Sequence, residues 1–410
     1  MSDYIPQEVL VEIFIRLPAK ALLASRLVCK SWCSLITDPK FIYKHTQFTF
    51  KSQDTSQLIV RRYYRPDMRD KFTLHRDDES FSEYQPLDIP FDSKYYPYAV
   101  VGSCCGLVCL RSTSVRNMNM PQPLVLWNPS AGFCVSLRVR PFIGNILDPI
   151  YGFGFDPRTN DYKVVKIVYG VKSLYPNKSP QIVDIFALSE GKWRNITATA
   201  APLYIINEKL SWVYVNGAIH WIAHYELDQV LYSRKMVVGL FDMSEEVFKE
   251  LQMPEIIMTE RIASEKTQKL SIGDMNHSLS LLHYYTQWEN SPSYDGCCIW
   301  VMKEYGVVES WTKQFKIDLR LGLGKILGLR RNGEILLVTR YNGELVSFHP
   351  ETRKINKLGI YGDSWSFNMD FYLESLVLLN GAEGTSRMSS SSVAAAFEKA
   401  ALHWKSRVGI

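Results

Sequence analysis

The chain has 410 residues, enough for two or three average domains, and its content of 46% hydrophobic and 22% charged residues is that of a folded protein. Its net charge of +5 is small and spread along the sequence, so we expect no nucleic-acid binding, which requires a concentrated basic stripe. There is no apolar run of 18 residues and no basic stretch followed by an apolar core at the N-terminus. We therefore expect neither a membrane span nor a secretory signal, and a location in the cytoplasm, the nucleus or both.

The eight cysteines follow no regular spacing, which favours reduced thiols over a disulfide framework. Cys29 and Cys33 are four residues apart and would share one face of a helix. A structural zinc site normally needs four Cys or His ligands, and nothing nearby except the isolated His45 could complete a second pair. We therefore expect both side chains to pack in a core. The remaining cysteines are at positions 104, 105, 109, 134, 297 and 298.

The first 45 or so residues have helical periodicity. Pro6 is placed to begin a first helix and Pro18 to end it, a second helix is predicted over about 19–25, and a third over about 27–36, with Pro39 beyond it. The first helix carries one broad apolar stripe. Its members are Val9, Leu10, Ile13, Phe14 and Leu17.

This helical region contains more large apolar residues than three short helices can bury among themselves. Two interpretations follow: the helices dock on the rest of the chain, or they present a standing interface to a partner. Periodicity alone does not separate them.

Beyond residue 45 the sequence changes to short strands and turns. One pattern recurs six times: an apolar stretch, a polar or Gly/Pro turn, and a bulky residue about seven positions after the first, with consecutive repeats 47 to 60 residues apart. Each repeat predicts a hairpin, and a period near 50 is typical of kelch-like propeller blades. The paired positions are Leu74/Phe81, Trp127/Phe133, Phe186/Trp193, Phe241/Phe248, Val301/Trp311 and Phe348/Ile355.

Further apolar segments between the hairpins supply candidate inner strands, so each blade can reach four strands. We predict about six blades, with residues 365–379 completing an early blade to close the ring. The alternatives are an open antiparallel array or two separate β domains. The inner-strand segments are 106–110, 151–170, 212–224 and 326–341.

The sequence offers little catalytic chemistry. His220 and His224 lack the glutamate and the helix that a zinc-binding HExxH motif requires, and no phosphate-binding loop or nucleophile elbow is present. For Cys104 and Cys105 we expect packing inside a blade. A propeller oxidase would need a copper site built from tyrosine, histidine and cysteine side chains. The sequence alone does not show whether such residues come together, so the enzyme alternative is kept. Four carboxylates are interpreted as turn and cap residues: Asp156, Asp161, Asp242 and Glu344.

Residues 4–45 resemble an F-box. The marks are Ile5-Pro6, Leu17-Pro18, Leu22-Leu23 and the stretch Leu27-Val28-Cys29-Lys30-Ser31-Trp32, followed by Leu35-Ile36, Pro39 and Phe41. The resemblance implies binding to a Skp-type adaptor and, through it, to the cullin and RING subunits of a ubiquitin ligase. The adaptor-binding residues it implies are Ile5, Pro6, Ile13, Leu17, Pro18 and Val28.

The body resembles the F-box-associated, kelch-like domain of plant F-box proteins, including S-locus F-box relatives. The similar phrases are "VGSCCGLVCL", "LWNPS", "YGFGFDPRTNDYKVVKIV", "VNGAIHWIA", "IWVMKEYGVVESWTKQF" and "FYLESLVLLN". The expected chain is therefore α+β and multidomain. It has a three-helix F-box at 1–45, a mostly-β kelch-like propeller at 46–380, and a flexible or helical tail at 381–410.

The expected function is that of a non-catalytic substrate receptor without cofactor in an SCF-type ubiquitin ligase. The alternatives are a non-degradative F-box adaptor and a kelch-type propeller enzyme. The resemblance raises S-locus ribonucleases or immune receptors as target proteins. Propeller receptors bind through loops on one face. The candidate loops are 111–123, 171–181, 201–211, 225–235, 255–268 and 286–296.

Overall fold

The computed structural model describes most of the chain. The described residues are 5–51, 57–89, 98–112, 124–137, 139, 148–170, 180–202, 204–206, 212–228, 233–255, 257, 268–286 and 294–379. The predicted C-terminal tail and most of the candidate loops lie outside these ranges.

The N-terminal region is helical, as predicted, but it contains four helices. They are α1 (Gln7–Phe14), α2 (Ala19–Ser25), α3 (Lys30–Thr37) and α4 (Pro39–Lys51). Pro39 lies beyond α3, as predicted, but the sequence analysis did not predict the helix that it begins: Pro39 is the first residue of α4, where its missing N–H leaves no hydrogen bond unmade. Helix α4 extends through residue 45, where the sequence analysis ends the first domain. None of the helices in the described ranges is long and apolar enough to cross a membrane.

The described part of the body forms twenty-five strands and a short helix, α5 (Thr197–Ala200). The strands are β1 (Gln57–Tyr64), β2 (Arg69–Arg76), β3 (Glu83–Leu87), β4 (Tyr98–Cys104), β5 (Leu107–Ser112), β6 (Leu124–Asn128), β7 (Phe133–Leu137), β8 (Ile150–Asp156), β9 (Asp161–Val168), β10 (Ile182–Ala187), β11 (Lys192–Asn195), β12 (Ile205–Ile206), β13 (Trp212–Val215), β14 (Ala218–Asp228), β15 (Ser233–Asp242), β16 (Val247–Leu251), β17 (Gln268–Met275), β18 (Ser278–Tyr285), β19 (Gly296–Met302), β20 (Trp311–Asp318), β21 (Leu323–Leu329), β22 (Ile335–Thr339), β23 (Glu344–Phe348), β24 (Ile355–Tyr361) and β25 (Asn368–Tyr372).

These strands form six antiparallel sheets, the blades of a β-propeller. From the inside outward, the orders are β25-β1-β2-β3, β4-β5-β6-β7, β8-β9-β10-β11, β12-β14-β15-β16 with β13 also on β14, β17-β18-β19-β20, and β21-β22-β23-β24. The prediction of a mostly-β propeller with about six blades is confirmed. We number the blades 1 to 6 in this order.

The C-terminal strand closes the ring. Strand β25 pairs antiparallel with β1, placing Phe371 opposite Leu58 and Met369 opposite Val60, and so becomes the innermost strand of blade 1. Each innermost strand contacts the next around the circle, from β25 through β4, β8, β13, β17 and β21 back to β25. The predicted role of residues 365–379 in closing the ring is thus confirmed.

The six predicted hairpins are the third and fourth strands of the six blades. In three of these hairpins, those of blades 3, 4 and 6, the two bulky residues lie directly opposite each other across a short turn, which gives the spacing of seven positions. Phe186 pairs with Trp193, and Phe241 pairs with Phe248, with ring centroids 5.5 and 4.8 Å apart. Such cross-strand aromatic pairs stabilise a sheet locally, which explains why the sequence pattern is readable.

The middle strands of a blade are covered on both faces by neighbouring blades. All eight positions of β9 are buried, whereas the outermost strand β24 alternates between exposed and half-buried positions. Strands buried on both faces read as continuous apolar runs, and half-buried strands alternate. This explains why the inner strands appeared in the sequence as apolar segments without clear periodicity.

The propeller has two unlike faces. Strands alternate in direction, so the turns between first and second strands and between third and fourth strands emerge on one face, here called the short-turn face. The turn after β13 is Asn216-Gly217, and both residues have positive φ, as a tight hairpin turn requires. The connections between second and third strands and between blades emerge on the opposite face, here called the long-loop face.

Three of the four carboxylates interpreted as turn residues, Asp156, Asp161 and Asp242, lie at turns on the short-turn face, whereas Glu344 begins β23 at the long-loop face. Asp156 accepts hydrogen bonds from the backbone N–H of Arg158 and from the hydroxyl groups of Thr159 and Ser244. It also forms an ion pair of 2.7 Å with the buried ammonium group of Lys163, which reaches across from blade 3 to Glu246 of blade 4. Burial raises the pKa of Asp156, but these hydrogen bonds outweigh it and hold the pKa well below its usual range.

An ion-pair cluster joins the last blade to the first. Arg330, between β21 and β22, is 1% exposed and pairs with Asp77 of blade 1 at 3.0 Å and with Glu334 at 2.9 Å. Its guanidinium group also lies 5.0 Å from the centroid of the Phe81 ring. A buried arginine needs such partners because an uncompensated buried charge costs several kcal/mol. The cluster therefore reinforces the closure made by β25.

We predict that two C-terminal truncations differ sharply. A chain ending at Phe367 lacks β25, and its melting temperature should fall by roughly 10 °C or more, because losing an inner strand costs several kcal/mol and each kcal/mol shifts melting by about 2–4 °C in large domains. A chain ending at Gly381 retains β25 and should melt like the full chain. Differential scanning calorimetry of both would check this; equal melting temperatures would show that β25 does not hold the ring.

Candidate interaction surfaces

One side of the helical region packs on the propeller. Phe14, Leu22 and Ile36 are buried in a cluster that also contains Ala131 and Leu376 of the propeller. The rings of Phe14 and Trp32 meet edge to face with centroids 4.8 Å apart, and Leu23 and Phe41 complete the buried helical part of the cluster. Of the two interpretations left open by the sequence, docking on the body is thus correct for this side.

The propeller surface that receives the helices is formed by residues 373–379, just after β25. Asn128 at the end of β6 donates hydrogen bonds to the carbonyl groups of Ser375 and Val377, at 3.0 and 2.8 Å. A Cβ atom at Gly106 would lie 2.6 Å from the carbonyl oxygen of Leu373, so only glycine allows this turn to approach so closely. Ring closure and helix docking therefore depend on the same segment.

The other side of the helical region leaves apolar side chains uncovered. Ile5, Val9 and Ile13 are each close to half exposed, and Val28 is 63% exposed. Single exposed apolar residues are ordinary, but a group on one small surface is typical of a protein interface. The interpretation as a standing interface therefore fits this side.

The structure places the six predicted adaptor-binding residues as follows. Ile5, Pro6, Ile13, Pro18 and Val28 are exposed. Leu17 is half-buried and packs against the buried helical cluster, and its carbonyl oxygen accepts a hydrogen bond of 2.9 Å from Nε2 of buried His45.

The expected packing of Cys29 is wrong. Cys29 is exposed and precedes α3 in an extended conformation, with its Sγ atom 3.1 Å from the hydroxyl of Ser31. Helix α3 begins at Lys30, about three residues later than predicted, so Cys29 lies before the helix and does not share a packed helical face with the half-buried Cys33. Hydrogen bonds from Ser31 and from the Trp32 backbone lower the pKa of the Cys29 thiol. All eight cysteines are free.

The histidines and the cysteine pair of the body have structural contacts. His220 is fully buried on β14, 2.8 Å from the hydroxyl of Tyr305, and burial lowers the pKa of its imidazole to about 4. Cys104 is buried and Cys105 half-buried at the turn after β4, as expected for packing within a blade. Within the described ranges, no three His, Cys, Asp or Glu side chains are grouped so as to hold a metal ion.

Most residues of the candidate target-binding loops lie outside the described ranges. The strands that flank all six loops end or begin at the long-loop face, and the helical region docks on the opposite face. Two of the predicted loops are partly wrong, because β12 lies within 201–211, and β14 and β15 extend into 225–235.

Sequence analysis missed an aromatic surface at the blade 6–blade 1 edge of the long-loop face. Trp365 is 63% exposed in the connection from β24 to β25, and its ring stacks on Tyr63 with centroids 6.5 Å apart. Of the seven exposed large apolar side chains in the described part of the propeller, five lie on the long-loop face of blades 6 and 1 or in the connection that enters blade 6. They are Met68, Leu321, Tyr341, Tyr361 and Trp365.

Two family models match the chain. One, for the F-box associated beta propeller domain, covers residues 64–374, and the other, for F-box-like sequences, covers residues 2–48. The chain belongs to the F-box-associated β-propeller family. Its helical region is the F-box.

Two curated relatives are named as F-box proteins, one of them also as a kelch-repeat protein. The chain is 28% identical to the F-box/kelch-repeat protein At3g23880 of Arabidopsis thaliana over 76% of this chain and 79% of that protein. It is 26% identical to the F-box protein CPR1 of the same plant, over 91% and 89% of the two chains. Among solved structures, it is similar to TolB from Acinetobacter baumannii at a TM-score of 0.42 and 12% identity, over 81% of this chain and 70% of that one, which adds nothing to the assignment.

We predict that adjacent residues of α1 differ in their effect on stability. Phe14→Ala should lower the free energy of unfolding by about 3–5 kcal/mol, because it opens a cavity in the docked cluster. Ile13→Ala removes an exposed side chain and should change that free energy by less than about 0.5 kcal/mol. Urea unfolding followed by circular dichroism would measure both, and a large loss for Ile13→Ala would show that this residue is buried in the free chain.

Proposed function

We propose that the chain is the substrate-recognition subunit of an SCF-type ubiquitin ligase, acting in the cytoplasm or nucleus. The F-box would bind a Skp-type adaptor, which connects it to cullin and RING subunits, and the propeller would bind a target protein. The observation that carries this proposal is the two-sided F-box: one side is buried on the propeller, and the other leaves Ile5, Ile13 and Val28 exposed.

The arrangement suits a receptor that works by positioning. A target held on the long-loop face would be presented on the side of the ring opposite the docked F-box. Holding a target lysine near the ubiquitin-charged enzyme raises its effective concentration, so the receptor itself need supply no acid or base. The absence of motif chemistry in the sequence is compatible with such a non-catalytic role.

The adaptor contact is tested best with an exposed residue. Ile13→Asp places a charge in a contact that is dry when the adaptor is bound, and this should weaken adaptor binding by several kcal/mol, or more than about a hundredfold. Leu17 is a poorer choice because it also packs within the F-box, and a chain starting at residue 46 would cut through α4 and uncover Leu376.

Ile355→Asp is the matched control, since Ile355 is an exposed isoleucine on the outermost strand of blade 6. It should bind the adaptor like the unmodified chain in isothermal titration calorimetry. Addition of purified cullin and RING subunits would then distinguish a ligase receptor from a non-degradative adaptor, by ubiquitin transfer to a bound target. Normal adaptor affinity of Ile13→Asp would exclude the proposed contact.

A further inference from the structure

The mouth of the central channel on the long-loop face carries lysines. Strands β17 and β21 are neighbouring innermost strands that start at this face, and each bears a lysine near its start, Lys269 and Lys325. The side chain of Lys325 is accessible to solvent although protein surrounds it, as expected for a residue that projects into a channel.

Lys325 has a fixed position, and its charge is not paired within the described part of the chain. Its ammonium group donates a hydrogen bond of 2.6 Å to the carbonyl oxygen of Phe367, and no carboxylate in the described ranges forms an ion pair with it. The guanidinium group of Arg61, whose charge acts on Lys325, is itself paired with Asp70 at 2.5 Å. Burial, with repulsion from Lys269 and Arg61, lowers the pKa of Lys325 to about 8.

Two carboxyl groups lie further along the channel and do not neutralise this lysine. Asp370 is in the middle of β25, and Asp274 is near the end of β17, toward the short-turn face. Burial and the neighbouring Asp274 raise the pKa of Asp370 well above its usual range. Neither Asp370 nor Asp274 is among the charged groups that act on Lys325, which are Lys269 and Arg61.

The exposed Trp365 belongs to the same chain segment that holds this lysine. Trp365 is two residues from Phe367, whose carbonyl group holds Lys325. The connection that carries Trp365 is fixed on β1: Ser366 accepts a hydrogen bond from the backbone N–H of Tyr63, and Asp363 donates its own N–H to the Tyr63 carbonyl group. A large aromatic side chain that is both exposed and held in place loses little freedom on binding, which is the usual property of an interface anchor.

We infer that this edge of the long-loop face binds an acidic peptide segment of a partner protein, with a carboxylate at Lys325 and an apolar or aromatic side chain on Trp365. The inference names the class of target for the proposed receptor and rests on that function. Charge complementarity selects this occupant, because a carboxylate of the peptide would pair with the ammonium group of Lys325. The exposed apolar side chains of the same surface would pack on the peptide residues next to that carboxylate.

The test uses the full chain bound to a Skp-type adaptor and a displayed library of random peptides of about twelve residues. Peptides selected by the unmodified chain should be enriched in Asp and Glu next to apolar or aromatic residues. Lys325→Met should weaken their binding about tenfold or more, and Trp365→Ala should weaken it as well. Lys325→Glu should select basic peptides instead.

Lys313→Met is the matched control, because Lys313 is exposed on β20, an outermost strand of blade 5. It should leave peptide binding unchanged. Selected peptides without acidic enrichment, or acidic peptides that bind Lys325→Met normally, would overturn the inference. Since adaptor binding is measured separately, a failure here is distinguishable from a failure of the proposed ligase role.

Two further outcomes would assign the surface to a different occupant. Tighter peptide binding by a chain ending at Gly381 would show that the C-terminal tail covers the site, and self-association abolished by Trp365→Ala would show that a second copy does. Either result would overturn the inference of an acidic partner segment.

Discussion

The pairing of β25 with β1 is the constraint on which the rest of this structure depends. It makes a linear chain into a closed ring, in which no inner strand is left without a neighbour. The residues on either side of β25 then serve two different surfaces. Residues 373–379 receive the F-box on the short-turn face, and residues 362–367 carry Trp365 and position Lys325 on the long-loop face. Folding of this one strand is therefore needed both for the surface that receives the F-box and for the surface proposed to bind the target.

The two faces of the propeller suit two different tasks, attachment of the F-box and binding of a target. Short turns stabilised by capping carboxylates make the F-box side compact, and the F-box is attached there through buried apolar contacts. Long connections on the other side can vary without disturbing the blades, because their residues are outside the strand ladders. An F-box attached rigidly to one face, with variable loops on the other, suits a receptor that must hold different targets in one fixed position.

Local patterns in the sequence predicted the blades but not the sites built by closure. The hairpins were readable because paired residues such as Phe241 and Phe248 are close in sequence. The hydrogen bond that joins Lys325 to the segment carrying Trp365 was not readable, because ring closure brings together segments that are far apart in the sequence. Helix α4 was missed because a proline can begin a helix as well as follow one, and Cys29 was placed inside a helix that in fact begins after it, at Lys30.

Hydrogen exchange of residues 366–379 tests the central role of β25 most directly. If this segment holds the ring closed and carries the F-box, its backbone amides can exchange only when the whole propeller unfolds. Their exchange should then show the same free energy and denaturant dependence as the fully buried strand β9. Fast exchange of residues 366–379 while β9 remains protected would contradict the account.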